Sequence, residues 1–193
     1  MKDKLINETE SIEIIQSMIT KSKQKLVDNS KFFFLWGFAV LICALIQYFM
    51  LKLYLLHTQQ VWLAMPVIAI IHIWIAVKQQ KKQKHTTHND IALQSLWIAL
   101  GIGFFLLAFF STKMSFNIFP FLILFYGMGT FATGKIIQFK PLIFGGIGSF
   151  ILSVLILYIE GAEQLLILAL SVVLSYIIPG LLLKREFKKM QQL

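Results

Sequence analysis

Six apolar runs, at residues 32–51, 61–77, 91–110, 118–134, 141–159 and 164–183, contain no Lys, Arg, Asp or Glu. Short polar segments separate them. A hydrocarbon core about 30 Å thick takes about 20 residues of helix to cross. Each run therefore predicts one membrane-spanning helix.

The charges then orient the spans. The N-terminal segment, the 78–90 and 135–140 loops and the C-terminal tail hold 16 of the 18 Lys and Arg. Lys52 and Lys113 are the other two, and the 160–163 loop has none. Basic residues remain preferentially in the cytoplasm, which predicts that both termini are cytoplasmic. The fold class expected is all-α: a polytopic integral membrane protein of six transmembrane helices in three hairpins, preceded by a cytoplasmic amphipathic helix. Residues 1–31 form the N-terminal segment, 32–183 the bundle and 184–193 a basic tail. The outer connections, 52–60, 111–117 and 160–163, are short and predict tight hairpins of spans 1–2, 3–4 and 5–6.

The net charge of +9 changes this picture little. The excess lies at the cytoplasmic helix ends, where anionic lipid headgroups attract each basic residue by about 1 kcal/mol. Membrane lipids are thus the expected partners, and nucleic acid is not. The single cysteine, Cys43, lies inside the first run and has no internal partner for a disulfide. The polar segment of 31 residues before that run is too long for the charged start of a cleaved signal, so the first span is expected to act as an uncleaved one.

Within the N-terminal segment, Asn7–Asn29 reads as a helix that does not cross. Asn7 and Glu10 fit a capping box. Glu8, Glu10 and Glu13 precede Lys21, Lys23 and Lys25, an order that suits the helix dipole. Ile12, Ile15, Ile19 and Leu26 share one stripe. Such a helix lies on the inner leaflet, or docks on a cytoplasmic protein or on a second copy of the chain. Pro66, Pro120 and Pro141 fall in the first turns of spans, where proline is tolerated. Pro179-Gly180 falls late in span six and predicts a kink or early unwinding there. Leu35-Trp36-Gly37, Leu96-Trp97 and Ile143-Phe144-Gly145-Gly146 recur near the start of the odd spans, which fits either three duplicated hairpins or convergent membrane composition.

Several polar residues inside the spans are candidates for chemistry. His72 is the one histidine within a span and needs a hydrogen-bond partner, for which Thr130 or Thr133 lies at similar depth. It either joins two helices or works in a pocket. Gln47, His72, Tyr126, Thr130, Thr133 and Tyr176 make up the candidate polar cavity, with Tyr158 as a further polar group. Gly145, Ser149 and Ser153, Gly129 and Thr133, and Ser171 and Ser175 recur at spacing four. Helices approach closely on such faces, with a hydroxyl-lined cavity as the other reading. In the 78–90 loop, His85, His88 and Asp90 have a spacing that suits zinc. Lys81, Lys82 and Lys84 would repel the cation, however, and favour a solvated loop. On the outside, Glu160 and Glu163 could pair in an acid role, with His57 as a third ligand of a weak metal site.

No metalloprotease, serine-nucleophile, phosphate-loop or dinucleotide motif is present in the sequence. No carboxylate or cation is buried in a span for ion coupling. No cofactor and no enzymatic activity are expected. The chain resembles a group of small bacterial six-helix membrane proteins without assigned activity. The resemblance lies in Glu10-Ser11-Ile12-Glu13-Ile14-Ile15 with Met18-Ile19, in the aromatic-Trp36-Gly37 start of span one, and in Ile177-Ile178-Pro179-Gly180. It implies a bacterial inner membrane and carries over no functional residue. Two functions are therefore expected: a non-enzymatic membrane partner of a cytoplasmic regulator or complex, or a small permease or binder of lipid-like hydrophobic molecules.

Overall fold

A computed structural model describes residues 12, 15–19, 30–80, 88–113 and 117–190. All regular structure among them is helical. Helix α1 covers Ser30–Lys52, and a 3-10 turn at Thr58–Leu63 leads into α2, Ala64–Gln80. Helix α3 is His88–Lys113, α4 is Phe119–Ile136, and α5 is Lys140–Leu155, extended by a 3-10 turn at Ile156–Tyr158. Helix α6, Glu163–Val172, runs through a π-turn at Val173–Ile177 into α7, Ile178–Met190. Counting α6–α7 as one rod, six helices are long and apolar enough to cross a membrane. Ile12 and residues 15–19 are helical, with Ile12, Ile15 and Met18 exposed. The Asn7 and Glu10 cap, Lys21, Lys23 and Lys25 lie outside the described residues, as do His85 of the His85–His88–Asp90 cluster and residues 191–193.

The helices divide into an inner and an outer set. Half of the apolar window of α6–α7 is buried, against none of the window of α2 and 6% of that of α3. Val40 and Ala44 of α1, Ile123 of α4, Leu152 of α5 and Leu165, Leu168 and Val172 of α6 form the core. Helix α2 packs on α1, and α3 packs on α4. The two outer helices do not pack along each other.

The closest approach is between α4 and α5, which are joined by three residues, and not within the three hairpins predicted from the outer connections. Helix α1 likewise packs more extensively on α6 and the π-turn than on α2. Loop length says which ends are tethered; side-chain size decides which backbones can touch. A Cβ built on Gly134 would lie 2.8 Å from Ile143 N, and one on Gly146 would lie 2.7 Å from Phe131 N. The α4–α5 turn itself ends in a Schellman motif. Gln138 takes a left-handed conformation (φ 53°). Its N–H bonds Lys135 O (3.3 Å), and that of Phe139 bonds Gly134 O (2.8 Å). Tyr54 closes α1 in the same way, with φ 56° and bonds from Tyr54 N to Leu51 O and from Leu55 N to Met50 O.

The polar stretches sit at the two ends of the bundle. At the end that receives α1, Lys52 Nζ pairs with Glu163 Oε1 at 2.6 Å. Asn117 Nδ2 donates to Gln164 Oε1 at 3.1 Å, and Gln164 Nε2 donates to Ile159 O at 2.6 Å. These bonds tie the 3–4 and 5–6 connections together. At the opposite end, Ile137, Phe139, Leu142 and Leu183 form a second small core with Phe33 and Leu93 against it.

Candidate functional site

The π-turn follows from Pro179. Proline has no N–H, so residue 179 cannot donate to a carbonyl one turn earlier. The helix widens instead: the Ile178 N–H bonds Val173 O, five residues back. The expected disturbance at Pro179-Gly180 is thus a π-turn spread over the preceding residues. It holds Ser175 and Tyr176 in the bundle interior, where the Ser175 hydroxyl donates to Ser171 O at 2.7 Å. It also turns the Leu174 carbonyl toward Gly145, where a Cβ would lie 2.6 Å from that oxygen. π-Turns of this kind recur at functional sites.

Tyr176 is the centre of an aromatic cluster drawn from four helices. Its ring lies 5.2 Å from Phe33 of α1, 6.0 Å from Trp97 of α3 and 5.3 Å from Tyr126 of α4, centroid to centroid. The Tyr126 contact is edge-on, at 89°, the geometry that ring quadrupoles favour. Phe104 of α3 lies tilted against Tyr126, at 5.0 Å and 41°. Glycine makes room for these rings: a Cβ on Gly129 would lie 2.8 Å from the Trp97 ring, and one on Gly37 would lie 3.3 Å from Tyr176 Cβ.

The cluster contains two hydroxyls. Tyr176 is 5% exposed and Tyr126 is half-buried. Among the described residues neither hydroxyl has a hydrogen-bond partner. A buried polar group left unpaired costs about 1–3 kcal/mol.

The other candidate residues are placed elsewhere. His72 Nδ1 accepts a 2.9 Å bond from Trp36 Nε1, not from Thr130 or Thr133. Those threonines bond within their own helix. Thr130 Oγ1 donates to Tyr126 O (2.7 Å) and lies 3.3 Å from Gly127 O, while Thr133 Oγ1 donates to Gly129 O (2.6 Å). Helical threonine commonly satisfies itself this way. Gln47 Oε1 accepts from Trp62 Nε1 at 2.6 Å. A tryptophan from each of the first two helical segments thus donates to a polar side chain of the other. The two bonds hold the outer helix α2 against α1. The sequence pairs neither residue with tryptophan because an indole N–H finds its acceptor through tertiary placement alone.

The small-residue stripes serve close packing. Ser149 and Ser171 hydroxyls meet at 3.0 Å across α5 and α6, and Ser153 donates to Phe150 O. Among the described residues no three His, Cys, Asp or Glu side chains come together in a metal-binding arrangement; Glu163 pairs with Lys52. Of the six cavity candidates, the rings of Tyr126 and Tyr176 meet and Thr130 bonds Tyr126 O, while Gln47, His72 and Thr133 have the other partners given above.

Comparison of the chain with protein-family models, with curated proteins and with solved structures finds no match. Geometry alone carries the functional reading.

Proposed function

We propose that this is a non-catalytic, multi-pass protein of the bacterial inner membrane, with both termini in the cytoplasm, that holds a hydrophobic molecule bearing one polar group. The observation that carries this reading is Tyr176, a residue 5% exposed whose hydroxyl is unpaired among the described residues, with the ring of Tyr126, its hydroxyl likewise unpaired, 5.3 Å away. Helices are apolar enough to need no hydroxyl here, and phenylalanine would fill the same volume without a desolvation cost. A bound polar atom would offset that cost. The side chains most suited to catalysis are occupied elsewhere: the Nδ1 of His72 is engaged by Trp36, and Ser149 and Ser171 bond each other. Between the two functions expected, this favours binding of a hydrophobic molecule over docking of a cytoplasmic partner, whose expected surface lies mostly outside the described residues.

Mass analysis of small molecules retained after gentle detergent extraction tests the proposal. The full chain should carry one amphiphile that falls about tenfold in a Tyr126→Phe/Tyr176→Phe double variant, as loss of two hydrogen bonds implies. Identical profiles from the two proteins would remove the basis for it.

A further inference from the structure

We propose that the seam between α5 and α7 binds one anionic glycerophospholipid, with the lipid's phosphodiester held between Lys140 and Arg185. The site rests on the membrane placement proposed above and is independent of the tyrosine pair.

The contacts between α5 and the α6–α7 rod set the register. Ser149 Oγ meets Ser171 Oγ at 3.0 Å. A Cβ on Gly148 would lie 3.9 Å from Leu174 Cδ1, and one on Gly145 would lie 3.3 Å from Pro179 Cγ. Leu142 and Leu183 share the second small core. Each step back along α5 is thus matched by a step forward along the rod, as in any antiparallel pair. Two residues past Leu142 and Leu183, the same register sets Lys140, the first residue of α5, level with Arg185.

One flank of this contact is open to the surroundings. On the inner flank Ser149, Ser171 and Ser175 are fully buried. On the other, Lys140, Phe144 and Ile147 follow one another at spacings of four and three, as do Ile178, Leu182 and Arg185, and all six are exposed. Such spacing keeps each trio on one face of its helix. Gly148 lies one turn beyond Phe144, and Pro179 and Leu183 directly follow Ile178 and Leu182, so both trios border the same seam. The seam is apolar along its length and ends in one cation from each helix, an outline that matches an acyl chain below a charged head.

Charge selects the headgroup. Neither Lys140 nor Arg185 forms an ion pair among the described residues, whereas Lys52 at the opposite end of the bundle pairs with Glu163 at 2.6 Å. Lys184 is a third exposed cation beside them. Residues 135–140 and 184–193 together hold six basic residues and one carboxylate, Glu186. A guanidinium forks two N–H donors onto phosphate oxygens, and a lysine ammonium supplies a compact point charge. A zwitterionic headgroup would bring an ammonium into a site that is already cationic. The fit is therefore to a phosphodiester whose head carries no amine.

The test titrates the purified full chain in detergent with dioleoyl phosphatidylglycerol and, separately, with dioleoyl phosphatidylcholine, and counts bound lipid by native mass spectrometry. The first phosphatidylglycerol should bind at least about tenfold more tightly than the first phosphatidylcholine, as two basic residues at one anionic headgroup imply. Lys140→Gln and Arg185→Gln should each reduce that preference by roughly fivefold. Lys78→Gln, an equal change of charge near the end of α2, should leave it intact. Unchanged phosphatidylcholine binding in all three variants shows that they are folded. Equal affinities for the two lipids, or a full preference retained by Lys140→Gln or Arg185→Gln, would overturn the site. A loss in Lys78→Gln as large as theirs would overturn it too, as diffuse attraction to the whole basic end. A dimer of the chain that disappears in the same two variants would assign the seam to a second copy instead. None of these results bears on the tyrosine reading, whose extraction test varies Tyr126 and Tyr176 alone.

Discussion

Gly146→Ala should cost the bundle about 3 kcal/mol, the upper range for forcing an extra carbon into a packed interior. The new Cβ would lie 2.7 Å from both Phe131 N and Phe131 Cβ, and 2.8 Å from Phe131 Cα. These are atoms of the α4 helix itself, so no rotamer change relieves the clash; α4 and α5 must separate. Separation would also loosen the Gly134–Ile143 contact and the Schellman turn between the two helices. Gly101→Ala is the matched control, because a Cβ there meets nothing within 4 Å. There the helix propensity of alanine should stabilise by up to about 1 kcal/mol. Thermal denaturation of the two variants in one detergent, followed by tryptophan fluorescence, measures both. Equal melting temperatures would show that the α4–α5 contact is not as close as described.

The second large effect is a coupling. Gly145→Ala should destabilise by about 2–3 kcal/mol, because its Cβ would lie 2.6 Å from the Leu174 carbonyl oxygen. That carbonyl belongs to the π-turn. In a regular helix Leu174 O would accept from Ile178 N–H, which here bonds Val173 O. Pro179→Ala supplies the missing N–H and lets the segment return to regular register. The cost of Gly145→Ala should then fall by at least about 1 kcal/mol in the Pro179→Ala background. The cycle subtracts the packing that Pro179 itself loses. Strict additivity of the two substitutions would mean that the proline does not set the turn.

Six helices with their approximate ends were legible in the sequence because uncharged runs of this length have few alternatives. The run boundaries understate α3, which extends from 91–110 to His88–Lys113, since Asn89, Asp90, Ser111 and Thr112 leave the apolar pattern without leaving the helix. Pro179 was legible as a disturbance, although not as a π-turn that buries Tyr176. Which helices pack on which was not legible. Periodicity identifies a buried face only when the other face is polar, and here exposed and core-facing residues are the same kinds. Ile98, Ile102 and Phe105 of α3 are exposed while Ile123 of α4 is fully buried, with nothing in their chemistry to separate them. The glycines carried the information that the apolar residues did not, as Gly129, Gly134, Gly145 and Gly146 mark the close contacts. The candidate site was legible in part for the same reason. Polar atoms in apolar helices stand out, but their partners depend on packing, so Tyr126 and Tyr176 could be named as candidates while the Trp36–His72 and Trp62–Gln47 bonds could not be foreseen.

A density map of the full chain in a lipid nanodisc, at a resolution that separates aromatic side chains, addresses the binding role most directly. Non-protein density within hydrogen-bond distance of the Tyr126 and Tyr176 hydroxyls is the expected result. An interior without such density, in which both hydroxyls bond to protein atoms, would contradict it.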